Sequence, residues 1–154
     1  MKHLQLFENF EDIESICRRY RITNYTINPD GTVDVDGNVD LGAEPSLLIS
    51  KRLPIKFGKV SGNFNCSDNQ LTSLDGSPTT VGGHFYCSNN LLTTLEGGPK
   101  EVGGNFFCSH NLLTSLEGCP SEFKYIYCKW NPMDKIYYIF GSFKEYKDSL
   151  DYNY

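Results

Sequence analysis

Long hydrophobic runs are missing from this chain. The longest strongly apolar one is Ile136 to Phe140, far short of the ~18 consecutive residues that carry a helix across a bilayer, so a membrane partner is not expected. Cations are also scarce. Fourteen Lys+Arg against 19 Asp+Glu leave a net charge of −5, which argues against a general nucleic-acid binder needing a cationic stripe to displace counterions from phosphates. The opening Met1-Lys-His-Leu-Gln-Leu-Phe-Glu8 has too short an apolar stretch for a signal peptide, and Glu8, Glu11 and Asp12 interrupt it, so secretion by that route is not expected. Signatures of chemistry are equally thin. The three His, at positions 3, 84 and 110, fit no triad or zincin pattern, and the six Cys contain no C-x-x-C knuckle. With no nucleophile elbow or phosphate-binding glycine loop, the expectation is a protein that is not an enzyme, with no cofactor and no metal site.

What is present is a folded composition and a repeat. Ten Tyr and ten Phe in 154 residues, about one domain's length, exclude a disordered tail. Three segments align at a step of 21 residues: Val60-Ser-Gly-Asn-Phe-Asn-Cys66, Val81-Gly-Gly-His-Phe-Tyr-Cys87 and Val102-Gly-Gly-Asn-Phe-Phe-Cys108. A fourth copy, Phe123-Lys-Tyr-Ile-Tyr-Cys128, sets its Cys 20 residues after Cys108, one residue having dropped from the strand entry. Each Cys is followed by Asn69-Gln-Leu71-Thr-Ser-Leu74, Asn90-Leu-Leu92-Thr-Thr-Leu95 or Asn111-Leu-Leu113-Thr-Ser-Leu116, then by Gly and by Pro78, Pro99 or Pro120. So short a period means a solenoid. One coil cannot stand alone: burying its four or five apolar side chains returns ~1.5–3 kcal/mol each, against ~1–2 kcal/mol of backbone entropy for every residue ordered.

Strand alternation puts Val81, Gly83, Phe85 and Cys87 on one side and Gly82, His84, Tyr86 and Ser88 on the other. The first set recurs almost unchanged and is the predicted core. Gly82-Gly83 and Gly103-Gly104 are read as lying inside strands, where they permit close backbone approach.

These residues resemble the leucine-rich repeat. Its consensus L-x-x-L-x-L-x-x-N/C-x-L is matched by Phe123, Ile126, Cys128, Asn131 and Met133, while the three earlier copies carry an extra residue after the opening Val. The text of Cys87-Ser-Asn-Asn90 and Leu113-Thr-Ser-Leu-Glu-Gly118 is similar to short repeat proteins of bacteria and tailed bacteriophages, over roughly residues 35–133. The resemblance implies an α+β solenoid: a right-handed coil with a parallel β-sheet on one face, an N-terminal helix and strand cap and a C-terminal capping helix. It also implies that Asn69, Asn90, Asn111 and Asn131 form an asparagine ladder whose amides satisfy backbone groups of neighbouring coils.

A stack of coils needs caps at both ends. Residues 1–34 are read as the N-terminal cap: Phe10, Ile13, Ile16, Cys17 and Tyr20 at helical spacing, then strands over Ile22 to Ile27 and Thr32 to Leu41 around Pro29-Asp30-Gly31. The solenoid occupies 35–133. Its degenerate first turn is 35–59, where Val35, Gly37, Val39 and Leu41 repeat the register of Val60, Gly62, Phe64 and Cys66, and further repeats start at Val60, Val81, Val102 and Phe123. In 134–154, after the helix start Asn131-Pro132, Ile136, Ile139, Phe140, Phe143, Tyr146 and Leu150 predict a closing helix and tail.

Cys66, Cys87, Cys108 and Cys128 are spaced by whole coils with parallel Cβ bonds, which suits buried thiols better than disulfides and fits a reducing cytoplasm. Cys17 reads as helix core, and Cys119 stands in a turn open to solvent. The acidic stretch Asp30 to Glu44 is not a calcium loop. With Asp36-Gly37 at positions five and six of an EF-hand, position twelve is Ala43 and the bidentate carboxylate is missing.

The outward strand face carries the functional signal. Its columns read Asn63, His84, Asn105, Tyr125; then Asn65, Tyr86, Phe107, Tyr127; then Ser67, Ser88, Ser109, Lys129; with Asp68, Asn89, His110, Trp130 at the bend. They drift from amides to aromatics and a cation, the residue class enriched at interface hot spots. The candidate partner-binding residues are His84, Tyr86, Phe107, His110, Tyr125, Tyr127, Lys129 and Trp130. The expected partner is another protein. The bland alternative buries Tyr125, Tyr127 and Trp130 under a cap. By the resemblance to phage proteins the function expected is an accessory protein that binds and inhibits or modulates a host bacterial protein, with antiviral defence one setting, in the host cytoplasm. A virion structural or adhesive protein that binds coat protein or carbohydrate is one alternative. A single-stranded nucleic-acid binder, with Lys51, Arg52, Lys56 and Lys59 nearby, is another, and self-association is compatible with the spare tyrosines Tyr137, Tyr138, Tyr152 and Tyr154.

Overall fold

The computed structural model of the chain describes residues 12–133 and 139–140. In chain order the elements are α1 (Ile13–Arg19), β1 (Tyr25–Ile27), β2 (Val33–Val35), β3 (Val39–Asp40), α2 (Pro45–Ser50), β4 (Phe57–Val60), β5 (Phe64–Asn65), β6 (Thr80–Val81), β7 (Phe85–Tyr86), β8 (Glu101–Val102), β9 (Phe106–Phe107), β10 (Tyr125–Tyr127) and β11 (Ile139–Phe140). They build a β-solenoid of about five turns.

Each coil contributes to two sheets, where a single sheet on one face was expected. The first has the order β1-β2-β4-β6-β8 and the second β11-β10-β9-β7-β5-β3. Within both, successive coils pair in parallel at matching repeat positions: Val60 with Val81 and Val81 with Val102 in the first, Phe64 with Phe85 and Phe85 with Phe106 in the second. Among the described residues, antiparallel strands occur only at two edges, β1 on β2 and β11 on β10. The glycine pairs explain the split. Gly82 and Gly103 lie at the corner between the sheets, not inside a strand. A Cβ on Gly82 would collide with the Ser61 carbonyl oxygen, and one on Gly103 with that of Gly82. Close stacking of backbone therefore leaves no room for a Cβ at Gly82 or Gly103, while the same station one coil earlier holds Ser61. The residue dropped from the last coil comes from this corner: Val102 N–H donates to the Glu122 carbonyl and Lys124 N–H to that of Gly104, so no residue faces Gly103.

The first coil repeats the register the sequence predicts, Val35 pairing with Val60 and Val39 with Phe64. It also holds α2, a short helix absent from the sequence reading, with Pro45 in its first turn. Upstream, the Asp12 carboxylate caps α1 by accepting the Ser15 N–H at 2.7 Å, and Cys17 is its buried residue. Phe10 lies outside the described residues. So does most of the expected closing helix, but its members Ile139 and Phe140 are a correction: they form β11, with Phe140 opposite Tyr125 and Ile139 opposite Ile126. Backbone pairing at the open edge of β10 competes with a helix there.

The core is a set of columns along the coil axis. Val60, Val81 and Val102, Cys66, Cys87 and Cys108, and two leucine columns through Leu92 and Leu95 are all buried. Phe64, Phe85 and Phe106 stack with centroids 5.5 and 5.3 Å apart and planes within 5° of parallel. Each ring closes over the next coil, which is how incomplete coils become one cooperative body.

Candidate protein-binding face

Phe85 and Cys87 are fully buried, and Tyr86 between them points out of the coil, half-exposed. Because the strands are in register, the outward rings of consecutive coils meet. Tyr86 and Phe107 stack at 4.7 Å and 6°, and Phe107 and Tyr127 at 4.6 Å and 9°. The ladder turns ring edges to solvent, and both faces of Phe107 are covered by its neighbours. Tyr127 is 41% exposed and Tyr125 43%.

At the following bend His110 and Trp130 form a second stack, 4.4 Å apart and 11° from parallel, with Trp130 68% exposed. The Lys129 ammonium lies 6.0 Å from the indole centroid. Seven of the eight candidate residues, His84, Tyr86, Phe107, His110, Tyr127, Lys129 and Trp130, thus share one surface, with Tyr125 at its border.

His84 is different. It lies just before β7 at the sheet corner, half-buried, and its Nδ1 accepts the Asn105 N–H at 2.8 Å. The proton of the neutral ring therefore sits on Nε2. The same position works alike in earlier coils: Asn38 Oδ1 accepts the Asn63 N–H at 2.8 Å, and Asn63 Oδ1 the His84 N–H at 2.7 Å. This corner ladder was missed in the sequence, where Asn63, His84 and Asn105 read as variable surface. Its signal was a column of side chains with a near-backbone acceptor.

A third regularity is conformational. Ala43, Asp68, Asn89, His110 and Trp130 occupy one station, the bend leaving the second sheet, and all have positive φ, from 50° to 62°. The residue directly after Asp68, Asn89, His110 and Trp130 is the buried amide, Asn69, Asn90, Asn111 or Asn131. Asn90 Nδ2 donates to the Cys66 and Cys87 carbonyls, Asn111 Nδ2 to those of Cys87 and Cys108, and Asn131 Nδ2 to those of Cys108 and Cys128. Asn69 Nδ2 reaches Leu41 and Cys66. On the other side Asn90, Asn111 and Asn131 Oδ1 accept the N–H of Leu71, Leu92 and Leu113.

The cysteines are free thiols. Loss of solvation pushes Cys66, Cys87 and Cys108 up, away from the reactive thiolate. Cys119 is no open surface thiol: it is half-buried, and desolvation raises it to about 12. No helix among the described residues is long and apolar enough to cross a membrane. No family model, curated protein or solved structure matches the chain.

Proposed function

We propose that this chain is a non-enzymatic protein-binding module whose contact surface is the outward face of the second sheet. The observation that carries the reading is the partly exposed ladder Tyr86–Phe107–Tyr127 at 4.7 and 4.6 Å. Rings held by their neighbours lose little side-chain freedom on binding, and aromatic residues dominate interface hot spots. On the resemblance to short phage repeat proteins, the partner is a host bacterial protein that the module inhibits or modulates in the host cytoplasm.

Nucleobase stacking counts as the weaker reading. It needs free ring faces and a basic track, whereas Phe107 has both faces covered and the chain carries a net −5.

The test is capture from bacterial lysate by the immobilised protein and by a Tyr86→Ala plus Phe107→Ala variant, with folding checked by circular dichroism and thermal unfolding. A partner retained by the parent and lost by the folded variant supports the reading. Equal capture by both defeats the site assignment.

A further inference from the structure

The corner ladder and the aromatic ladder meet in one side chain. His84 accepts the Asn105 N–H on Nδ1 at 2.8 Å, and its ring lies 5.9 Å from Tyr86 at 64° and 6.1 Å from Phe107 at 70°. Those two rings are parallel within 6° and 4.7 Å apart. A centroid nearly equidistant from both therefore stands beside the stack, against the ring rims and not over a face. Phe107 has no face to offer it, being covered on both sides by Tyr86 and Tyr127. A side chain that titrates thus stands where Asn38 and Asn63 do the same backbone job with an amide oxygen. That oxygen accepts whatever the pH near neutrality, whereas an imidazole nitrogen accepts only while the ring is uncharged.

Both contacts need the neutral ring. A proton on Nδ1 faces the Asn105 N–H, donor against donor. Aromatic rims carry the positive end of the ring quadrupole, so the rims of Tyr86 and Phe107 repel the same charge that a free ring face would attract. The two effects have one sign. Of the groups packed round the imidazole, Tyr86 on its own strand, Asn105 and Phe107 on the next coil and Asn63 on the coil before, only the Tyr86 phenol titrates, as phenols do in alkali. Farther along the axis these two columns end in Tyr125 and Tyr127, with Lys124 beside Gly104, and at the other end in Asn38 and Asp40. Asp40 is two strands from β7 and accepts the Asn65 amide at 2.9 Å. Asp36, on the same first coil, accepts the Ser61 hydroxyl at 2.8 Å. Lys59 and Glu101 face outward from the first sheet, round the corner.

We propose that His84 is a proton-sensitive brace of the binding face. Neutral, it ties the corner to the Tyr86 and Phe107 stack; protonated, it leaves the corner, frees the Asn105 amide and loosens the stack, so that the partner is released as pH falls. The inference rests on the protein-binding reading above and adds the regulation of that same surface. The coupling is short: Asn105, whose amide is held, and Phe107, whose rim is touched, lie two residues apart on one coil.

Nuclear magnetic resonance of the whole chain tests the brace with no partner present. Spectra are followed from about pH 8 to about pH 5, the range in which imidazoles change charge. The ring nitrogens of His84 are expected to start as the Nε2–H tautomer. The Asn105 amide and the ring protons of Tyr86 and Phe107 are then expected to shift along the same curve as the His84 ring. Protection of the Asn105 amide, corrected for the intrinsic pH dependence of exchange, is expected to fall about tenfold across that curve. In His84→Asn, which keeps an acceptor, none of these signals follows it. Curves that do not coincide, or the same shifts in His84→Asn, overturn the proposal. Lysate capture at about pH 7.5 and about pH 5.5 separates the two levels. The parent is expected to hold its partner about tenfold less at the lower value, while the ratio for His84→Asn stays near one. Equal capture by the parent at both values overturns the regulation and leaves the face standing. If Tyr86→Ala plus Phe107→Ala captures like the parent at the higher value, the face falls and the regulation with it.

Discussion

Asn90 holds the carbonyls of Cys66 and Cys87 with a single amide, Nδ2 lying 3.0 Å from each. Its Oδ1 meanwhile accepts the N–H groups of Leu71 and Asn69 at 2.9 and 3.2 Å. All are main-chain groups at the bend, where no sheet partner is available. An Asn90→Leu side chain fits the space but offers neither donor nor acceptor, and each buried group left orphaned costs about 1–3 kcal/mol. The expected loss exceeds about 3 kcal/mol in urea unfolding. An unaltered unfolding midpoint would refute the ladder's energetic role.

His84 gives a subtler test, because the backbone contact it makes at the corner depends on its acceptor nitrogen, while its ring separately meets Tyr86 and Phe107 edge-on. His84→Asn restores the side chain that Asn63 uses one coil earlier and is expected to leave stability within about 0.5 kcal/mol of the parent. His84→Phe keeps an aromatic ring but strands the Asn105 N–H, at a cost of about 1 kcal/mol. Hydrogen exchange at the Asn105 amide should quicken in the Phe variant alone. Quickening in both, or in neither, would show that the 2.8 Å contact does not govern that amide.

The periodic part of the fold was legible in the sequence because burial imposes a period. The recurrence of Phe64, Phe85 and Phe106 between Val and Cys could only mean stacked coils. What was not legible is the corner. Val81 to Cys87 alternates like one strand, and a strand bent at Gly82-Gly83 keeps the same inside-outside alternation, so period alone cannot separate one sheet from two. The short α2 was hidden for a similar reason: Pro45 to Ser50 is less than two turns long, too short to show a helical stripe. The aromatic columns were readable from the register. Stacking of Tyr86 on Phe107, and the left-handed bend that carries Trp130, needed coordinates.

Ser77 supplies a prediction of opposite sign. Its Oγ is buried and, among the described residues, is the one side-chain polar atom of its kind without a hydrogen-bond partner. The equivalent station is Gly98 in the next coil and Cys119 in the one after, so no hydroxyl is required there. Removing an unsatisfied buried hydroxyl relieves a desolvation cost of about 1–3 kcal/mol, offset by loss of a small volume. Ser77→Ala is expected to raise Tm. A lower Tm would mean that the hydroxyl has a partner, an ordered water being the first candidate.

The thiol columns predict how the fold responds to alkali. In the unfolded chain a cysteine titrates near 9.0, whereas desolvation holds Cys66, Cys87 and Cys108 above that value and Cys119 at about 12. Raised folded values mean that the native state binds more protons than the unfolded state once pH passes about 9. Stability therefore falls as pH rises, and is fully retained below that window. Each such thiol steepens the decline by up to about 1.4 kcal/mol per pH unit. Cys87→Ala leaves a small cavity, which lowers stability below about pH 9, but it also deletes one titrating group. Its plot of unfolding free energy between about pH 8 and about pH 11 should accordingly start below the parent's and be shallower by about one thiol's contribution above about pH 9. Parallel plots would show that the thiol of Cys87 ionises as readily inside the coil as outside it, against the upward push of its desolvation.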